Sequence, residues 1–154
     1  MIGAIVRSMR AYQWTKNLVL FAGPIFTLHI LDPSVALASL AGFFSFSLAV
    51  SAVYIFNDIL DVERDRLHPE KRLRPVAAGV LPIPLAFAVA ALLLAGGLGA
   101  SAALGPRFVS TAIAYVALTA AYSLFLKRVV LLDVVAIATG FVLRAVAGVE
   151  LVRD

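Results

Sequence analysis

Long apolar stretches alternate with short charged ones along this chain, and that alternation sets the expected architecture. Residues 35–56, 83–104, 108–126 and 129–149 are each close to the roughly 20 apolar residues that a bilayer-crossing helix needs. Residues 18–31 form a shorter run that contains Pro24. Tyr12 and Trp14 just before it suit an interfacial anchor, so a tilted span over 12–31 is expected, with a re-entrant segment as the alternative. The run closes on His29-Ile30-Leu31-Asp32-Pro33, which lacks the small-x-small pattern of a cleaved signal peptide. The pattern therefore predicts an all-α, polytopic transmembrane helix bundle: one membrane domain over 1–154, with five spans and a charged loop over 57–82.

The basic residues agree with five crossings. Arg7, Arg10 and Lys16 precede the first span. Arg64, Arg66, Lys71, Arg72 and Arg74 follow the second, and Lys127 and Arg128 follow the fourth. All ten then fall on one side, opposite only Arg107 and Arg153, with Arg144 inside a span. The positive-inside rule makes the crowded face cytoplasmic and the protein a multi-pass component of the plasma membrane.

Composition strengthens this picture. The hydrophobic fraction is 62%, charged residues are 14% and the mean hydropathy is +1.01. Soluble domains run nearer about 45–50% apolar and about 25% charged. The net charge of +4 is accounted for by topology, so no nucleic-acid partner is expected. With no cysteine, disulfides, thiolate zinc sites and a cysteine nucleophile are excluded. Gly96, Gly97, Gly99, Ala100 and Ala103 mark the third span as one that packs closely against a neighbour.

The candidate chemistry lies where the second span ends. Asn57-Asp58-Ile59-Leu60-Asp61-Val62-Glu63-Arg64-Asp65 places four acidic residues within eight positions. On a helix Asp58, Asp61 and Asp65 lie along one stripe, where like charges repel. A shared hard cation removes that penalty, and Mg²⁺ suits it because it keeps waters and accepts substrate phosphate oxygens. Arg66-Leu67-His68-Pro69-Glu70-Lys71-Arg72-Leu73-Arg74-Pro75 follows, stiffened by its prolines. Carboxylates for a metal beside cations for outer oxygens fit a metal-bound diphosphate. A loop of loosely paired topological charges is the plainer alternative. His68 is expected to cap or pack. Arg144, mid-span, costs about 2.5–3.5 kcal/mol on insertion scales and needs a partner or a wet cavity, which a structural ion pair with further helices and a substrate contact would supply equally well. Asp133 lies about 16 Å from it along the helix, too far for direct pairing.

NDILDVERD followed by HPEKRLRPVAAG resembles the first signature of the UbiA superfamily of intramembrane prenyltransferases, N-D-x-x-D-x-x-x-D. Gln13-Trp14-Thr15-Lys16-Asn17, Tyr122-Ser123 with Leu126-Lys127, and Phe141-Val142-Leu143-Arg144-Ala145 with Gly148 point the same way. Within the superfamily the chain is most similar to the branch that moves phosphoribosyl groups onto decaprenyl phosphate.

The resemblance implies a bundle of about nine spanning helices, the form that satisfies backbone groups in lipid. It also implies Mg²⁺ as cofactor, a diphosphate-bearing donor such as 5-phosphoribosyl 1-diphosphate and a polyprenyl phosphate acceptor, for cell-wall arabinan precursors. Asp58 and Asp61 are then catalytic, and both join Asp65 as metal ligands. Asn57 orients the diphosphate, while Lys16, Lys71, Arg74, Tyr122 and Lys127 contact substrate. The superfamily's second aspartate-rich loop has no counterpart here, so the sequence is expected to be the N-terminal part of a larger enzyme, inactive without its C-terminal helices. Transfer of a prenyl group to an aromatic acceptor is the alternative within the superfamily. A transporter would place its carboxylates at mid-membrane depth instead, and a scaffold would leave the ordered motifs unexplained.

Overall fold

A computed structural model describes residues 1–126 and 130–152, together with the backbone but not the side chains of Val130 and Asp133. Every regular element among the described residues is helical. The chain opens with α1 (Ile2–Ser8), a 3₁₀ segment (Ala11–Phe21) and α2 (Ala22–Phe26). It continues through a 3₁₀ turn (His29–Leu31), α3 (Pro33–Leu60), α4 (Val62–Arg66) and a second 3₁₀ turn (Lys71–Leu73). It closes with α5 (Ile83–Ala103), α6 (Pro106–Leu124) and α7 (Val130–Glu150). Helices α3, α5 and α6 are long and apolar enough to cross a bilayer, and α7 has 21 residues.

The first expected span differs from a continuous α-helix. Residues 11–26 wind as an 11-residue 3₁₀ segment that passes into the short α2, where Pro24 is buried. Leu28, at φ 60°, then turns the chain. The physical reason lies in a close crossing. Gly23 and Gly148 let this segment press on α7, and a Cβ on Gly148 would run into the Leu20 carbonyl.

Helix α3 is the common wall. Asp32 caps it by accepting from Ser34 N at 2.8 Å, and Pro33 sits in its first turn, where a missing N–H costs nothing. Ser39, Ser45, Ser47 and Ser51 are buried along it. Ser39, Ser45 and Ser51 return their hydroxyls to carbonyls three or four residues back, which leaves no orphan donor at these three in an apolar setting. Helix α5 packs closely on α3 at Gly97, where a Cβ would lie 2.7 Å from both Ala49 N and Ser45 O. Gly96 and Gly99 face open space, so the close-packing face expected of this span narrows to Gly97 and Ser101, whose hydroxyl meets Ser45 Oγ at 3.2 Å.

Two apolar clusters flank the polar region. Leu20, Phe46, Val50, Phe108, Ala112, Tyr115, Ala147 and Leu151 join α3, α6, α7 and the 3₁₀ segment. Ile55, Val62, Val76, Leu81, Ala86 and Ala90 pin the loop after α4 beneath α3 and α5, with Ala4, Ile5 and Met9 of the N-terminal region against them.

Gly97→Ala is expected to lower the unfolding temperature in detergent, at an overpacking cost of about 1–3 kcal/mol. Gly96→Ala and Gly99→Ala are expected to leave it unchanged or slightly higher. Equal melting curves for all three variants would contradict the α3–α5 contact.

Candidate functional site

Helix α3 ends where its register turns the carboxylates apart. At 3.6 residues per turn, Asp58 and Asp65 fall roughly 20° apart around the axis, and Asp61 is turned roughly 60° from Asp58. Asp61 also sits at the junction of α3 and α4, at φ −93° and ψ 5°. Helical hydrogen bonding carries across it, since Asp65 N donates to the Asp61 carbonyl at 2.8 Å. Asp58 and Asp65 therefore face inward and Asp61 faces a cavity.

The inward pair is buried and held by arginines. Arg10 donates to Asp58 Oδ1 at 2.6 Å. Arg74 Nη1 lies 2.7 Å from Asp65 Oδ2 and 3.3 Å from Asp58 Oδ1. Both carboxylate side chains are only 2% exposed. Two local devices aim these arginines. Arg10 adopts a left-handed backbone (φ 52°) between α1 and the 3₁₀ segment and stacks over Tyr54 at 5.1 Å. Arg74 precedes the buried Val76 and Ala77, and the Pro75 carbonyl accepts from Leu81 N at 2.9 Å. His68 caps the turn before it, with Nδ1 3.2 Å from Glu70 N, in line with the capping role expected of it.

The cavity beside this network has a volume of about 300 Å³. Its lining brings together Lys16, Asn57, Asp61, Lys71, Arg74 and Tyr122, all singled out in the sequence. Asn57 is fixed by donating to Ser123 Oγ at 2.6 Å, which joins the end of α3 to α6. Asp61 Oδ1 lies 3.5 Å from the exposed Arg64. Lys127 lies outside the described residues, and so does the side chain of Asp133.

Sequence reasoning overlooked several members of this site. Arg10 reads as a topological charge, yet it reaches Asp58 across 48 positions. Tyr54 and Tyr115 lie within the expected spans 35–56 and 108–126 and carried no motif, yet both line the cavity. Arg144, which the sequence had marked as needing a partner or a wet cavity, lines it too, buried at 6% exposure among Asn17, Tyr115 and Phe141. Trp14, expected as an interfacial anchor, also makes specific contacts. Its indole N–H donates to Ser51 at 3.0 Å and its ring meets Phe44 edge-on.

The donor set bears on a metal in a particular way. Among the described residues no three acidic or histidine side chains converge on one point. Mg²⁺ commonly takes one or two carboxylates, several waters and substrate phosphate oxygens. Asp61 on the cavity wall, with cations around it, fits that mode. Asp58 and Asp65 direct their oxygens at Arg10 and Arg74. A second cavity of about 320 Å³, lined by apolar residues including Val53, Phe56, Phe87, Leu94 and Val116, opens between α3, α5 and α6.

Comparison with known proteins adds relatives to this geometry. The model of the UbiA prenyltransferase family matches residues 18–153. Uncharacterized protein y4nM of Sinorhizobium fredii is 45% identical over 91% of this chain and 27% of its own length. The decaprenyl-phosphate phosphoribosyltransferase of Mycobacterium tuberculosis is 37% identical over 96% of this chain and 50% of its own. That of Corynebacterium glutamicum is 37% identical over 94% and 45%. The chain thus spans half or less of the length of these curated relatives.

Arg74→Ala is expected to destabilise the protein by about 3–5 kcal/mol, since it strands the buried Asp65 without a cation. Asp65→Asn combined with Arg74→Ala is expected to recover part of that loss. Thermal unfolding of the singles and the double gives the coupling, and strictly additive effects would dissolve the pair.

Proposed function

Because this chain belongs to the UbiA prenyltransferase family, we propose that its polar cavity is the cytoplasmic donor site of a Mg²⁺-dependent transferase of the plasma membrane. The donor is 5-phosphoribosyl 1-diphosphate and the acceptor a polyprenyl phosphate, with decaprenyl phosphate as the model. The product serves as a precursor of cell-wall arabinan. The observation that carries this reading is the lining itself: one carboxylate, Asp61, set among Arg10, Lys16, Lys71 and Arg74. An excess of cation around a single acid is what a diphosphate carrying a divalent metal demands. The relatives named decaprenyl-phosphate phosphoribosyltransferase support the choice of donor and acceptor.

In this reading an oxygen of the lipid phosphate attacks the anomeric carbon, and the diphosphate leaves with the bonding electron pair. Mg²⁺, when bound, neutralises charge on that leaving group. Asp61, on the cavity lining, would hold the metal. Asn57, fixed by Ser123, orients a diphosphate oxygen. Lys71 and Arg74 balance the outer oxygens, with Lys127 and Tyr122 as further contacts, and Lys16 meets a phosphate at the same level. Asp58 and Asp65 hold Arg10 and Arg74 in place, so their effect on turnover runs through those cations. The apolar groove between α3, α5 and α6 has the chemistry to take part of an isoprenoid tail.

The test offers the full-length protein two donors in parallel, 5-phosphoribosyl 1-diphosphate with polyprenyl phosphate, and polyprenyl diphosphate with an aromatic acid. Transfer is expected with the first pair only, and is expected to stop when Mg²⁺ is chelated. Asp61→Asn is expected to reduce turnover at least a hundredfold with its melting temperature unchanged. Activity with the prenyl diphosphate alone would select the other family chemistry, and undiminished Asp61→Asn turnover would remove the metal role.

A further inference from the structure

At the far end of the same cavity lies a cation that the diphosphate chemistry above does not use. Arg144 on α7 is 6% exposed, and each of its hydrogen-bond partners among the described residues is neutral. Its Nε donates to Asn17 Oδ1 at 2.9 Å, and Asn17 in turn donates to Ser47 Oγ at 2.9 Å. Its Nη2 donates to the Tyr115 hydroxyl. Phe141 and Tyr115 stack against the guanidinium at 5.1 and 4.7 Å. No carboxylate pairs with it among the described residues.

Such an arrangement holds a charge in place without neutralising it. A buried guanidinium requires a counter-charge or water. A guanidinium has five N–H donors, and the two bonds above leave both hydrogens of Nη1 and one of Nη2. Those free donors lie on adjacent nitrogens, where phosphate oxygens can be met. Beside Nη1 the wall is Gly140, where even an added Cβ would stand 3.8 Å from Nη1 and 3.5 Å from Tyr115. The glycine keeps that edge clear.

We propose that Arg144, positioned by Asn17 and flanked by Tyr115 and Gly140, is a second anion subsite of the cavity that takes a phosphate monoester. The proposal rests on the transferase reading above, in which two ligands carry such a group: the sugar donor at its 5-position and the lipid acceptor at its head. The shared chemistry is a dianionic phosphate gripped by a guanidinium. This subsite gives the cavity two anchoring points, so a ligand is recognised by its phosphate as well as by its diphosphate.

The experiment compares the full-length wild-type protein with Arg144→Lys and Gly140→Ala in detergent. Arg144→Lys keeps the charge and loses the guanidinium, and Gly140→Ala narrows the free edge without altering any charge. One arm measures thermal stabilisation by ribose 5-phosphate against ribose, and by farnesyl phosphate against farnesol. The wild type is expected to respond to at least one phosphate and not to its alcohol, and the variants are expected to lose that response. The pair that responds identifies the sugar or the lipid as the source. The second arm measures KM for each substrate, where a rise of tenfold or more in one KM, with a smaller change in kcat, is expected for Arg144→Lys. Equal stabilisation by phosphate and alcohol, or unchanged KM values in both variants, would overturn the subsite. Absence of any turnover would count against the transferase reading alone, and the stabilisation arm would still decide this one.

Discussion

The buried ion pairs of Asp58 and Asp65 with Arg10 and Arg74 are the constraint on which the polar end of this bundle depends. Carboxylates at 2% exposure are tolerated only with cations against them. The cations come from opposite directions in sequence, one before the 3₁₀ segment and one from the loop after α4. Satisfying the acids therefore folds the N-terminal region and the loop onto the same helix end. That closure sorts the acidic motif into two roles. Asp58 and Asp65 organise the arginines, and Asp61 is left facing a cavity whose other charged lining residues are cations.

Helix α3 transmits this order across the bundle. Ser39, Ser45 and Ser51 close their hydroxyls onto its own backbone, so the wall stays polar enough to position neighbours and dry enough to sit among apolar helices. Gly97 lets α5 approach one side, and Phe46 meets Phe108 and Tyr115 on the other. Tyr115 links that apolar cluster to Arg144, so core packing and cavity electrostatics share a residue. The backbone crossing at Gly23 and Gly148 then holds Asn17 against Arg144 from the far side. Polar groups thus occur as small sets around one cavity, with apolar packing around them. This is the arrangement expected where an unsatisfied donor is expensive.

Much of this was legible beforehand. Hydropathy alone marked the segments that became α3, α5, α6 and α7, because each must satisfy its backbone within itself. The acidic motif and the basic loop announced a charged cavity mouth, and Lys16, Asn57, Asp61, Lys71, Arg74 and Tyr122 do line one space. The segment over 12–31 read less well. Its 3₁₀ winding answers to a glycine crossing with α7, which no local pattern encodes. The same holds for the glycines of α5, where spacing suggested a broad contact face and only Gly97 meets a neighbour closely.

What the sequence determined by itself was periodicity, composition and which side chains carry charge, since these act over a few residues or as sums over the chain. Which charges meet was decided only by the tertiary structure. Arg10 finds Asp58 across 48 positions and Arg144 finds Asn17 across 127. Coulomb and hydrogen-bond energies fall off within a few ångströms in a partly dry interior, so partner choice is fixed by helix packing and by the rotation of each residue about its own axis. A turn of roughly 60° between Asp58 and Asp61 separates an acid paired with Arg10 and Arg74 from one that lines the cavity.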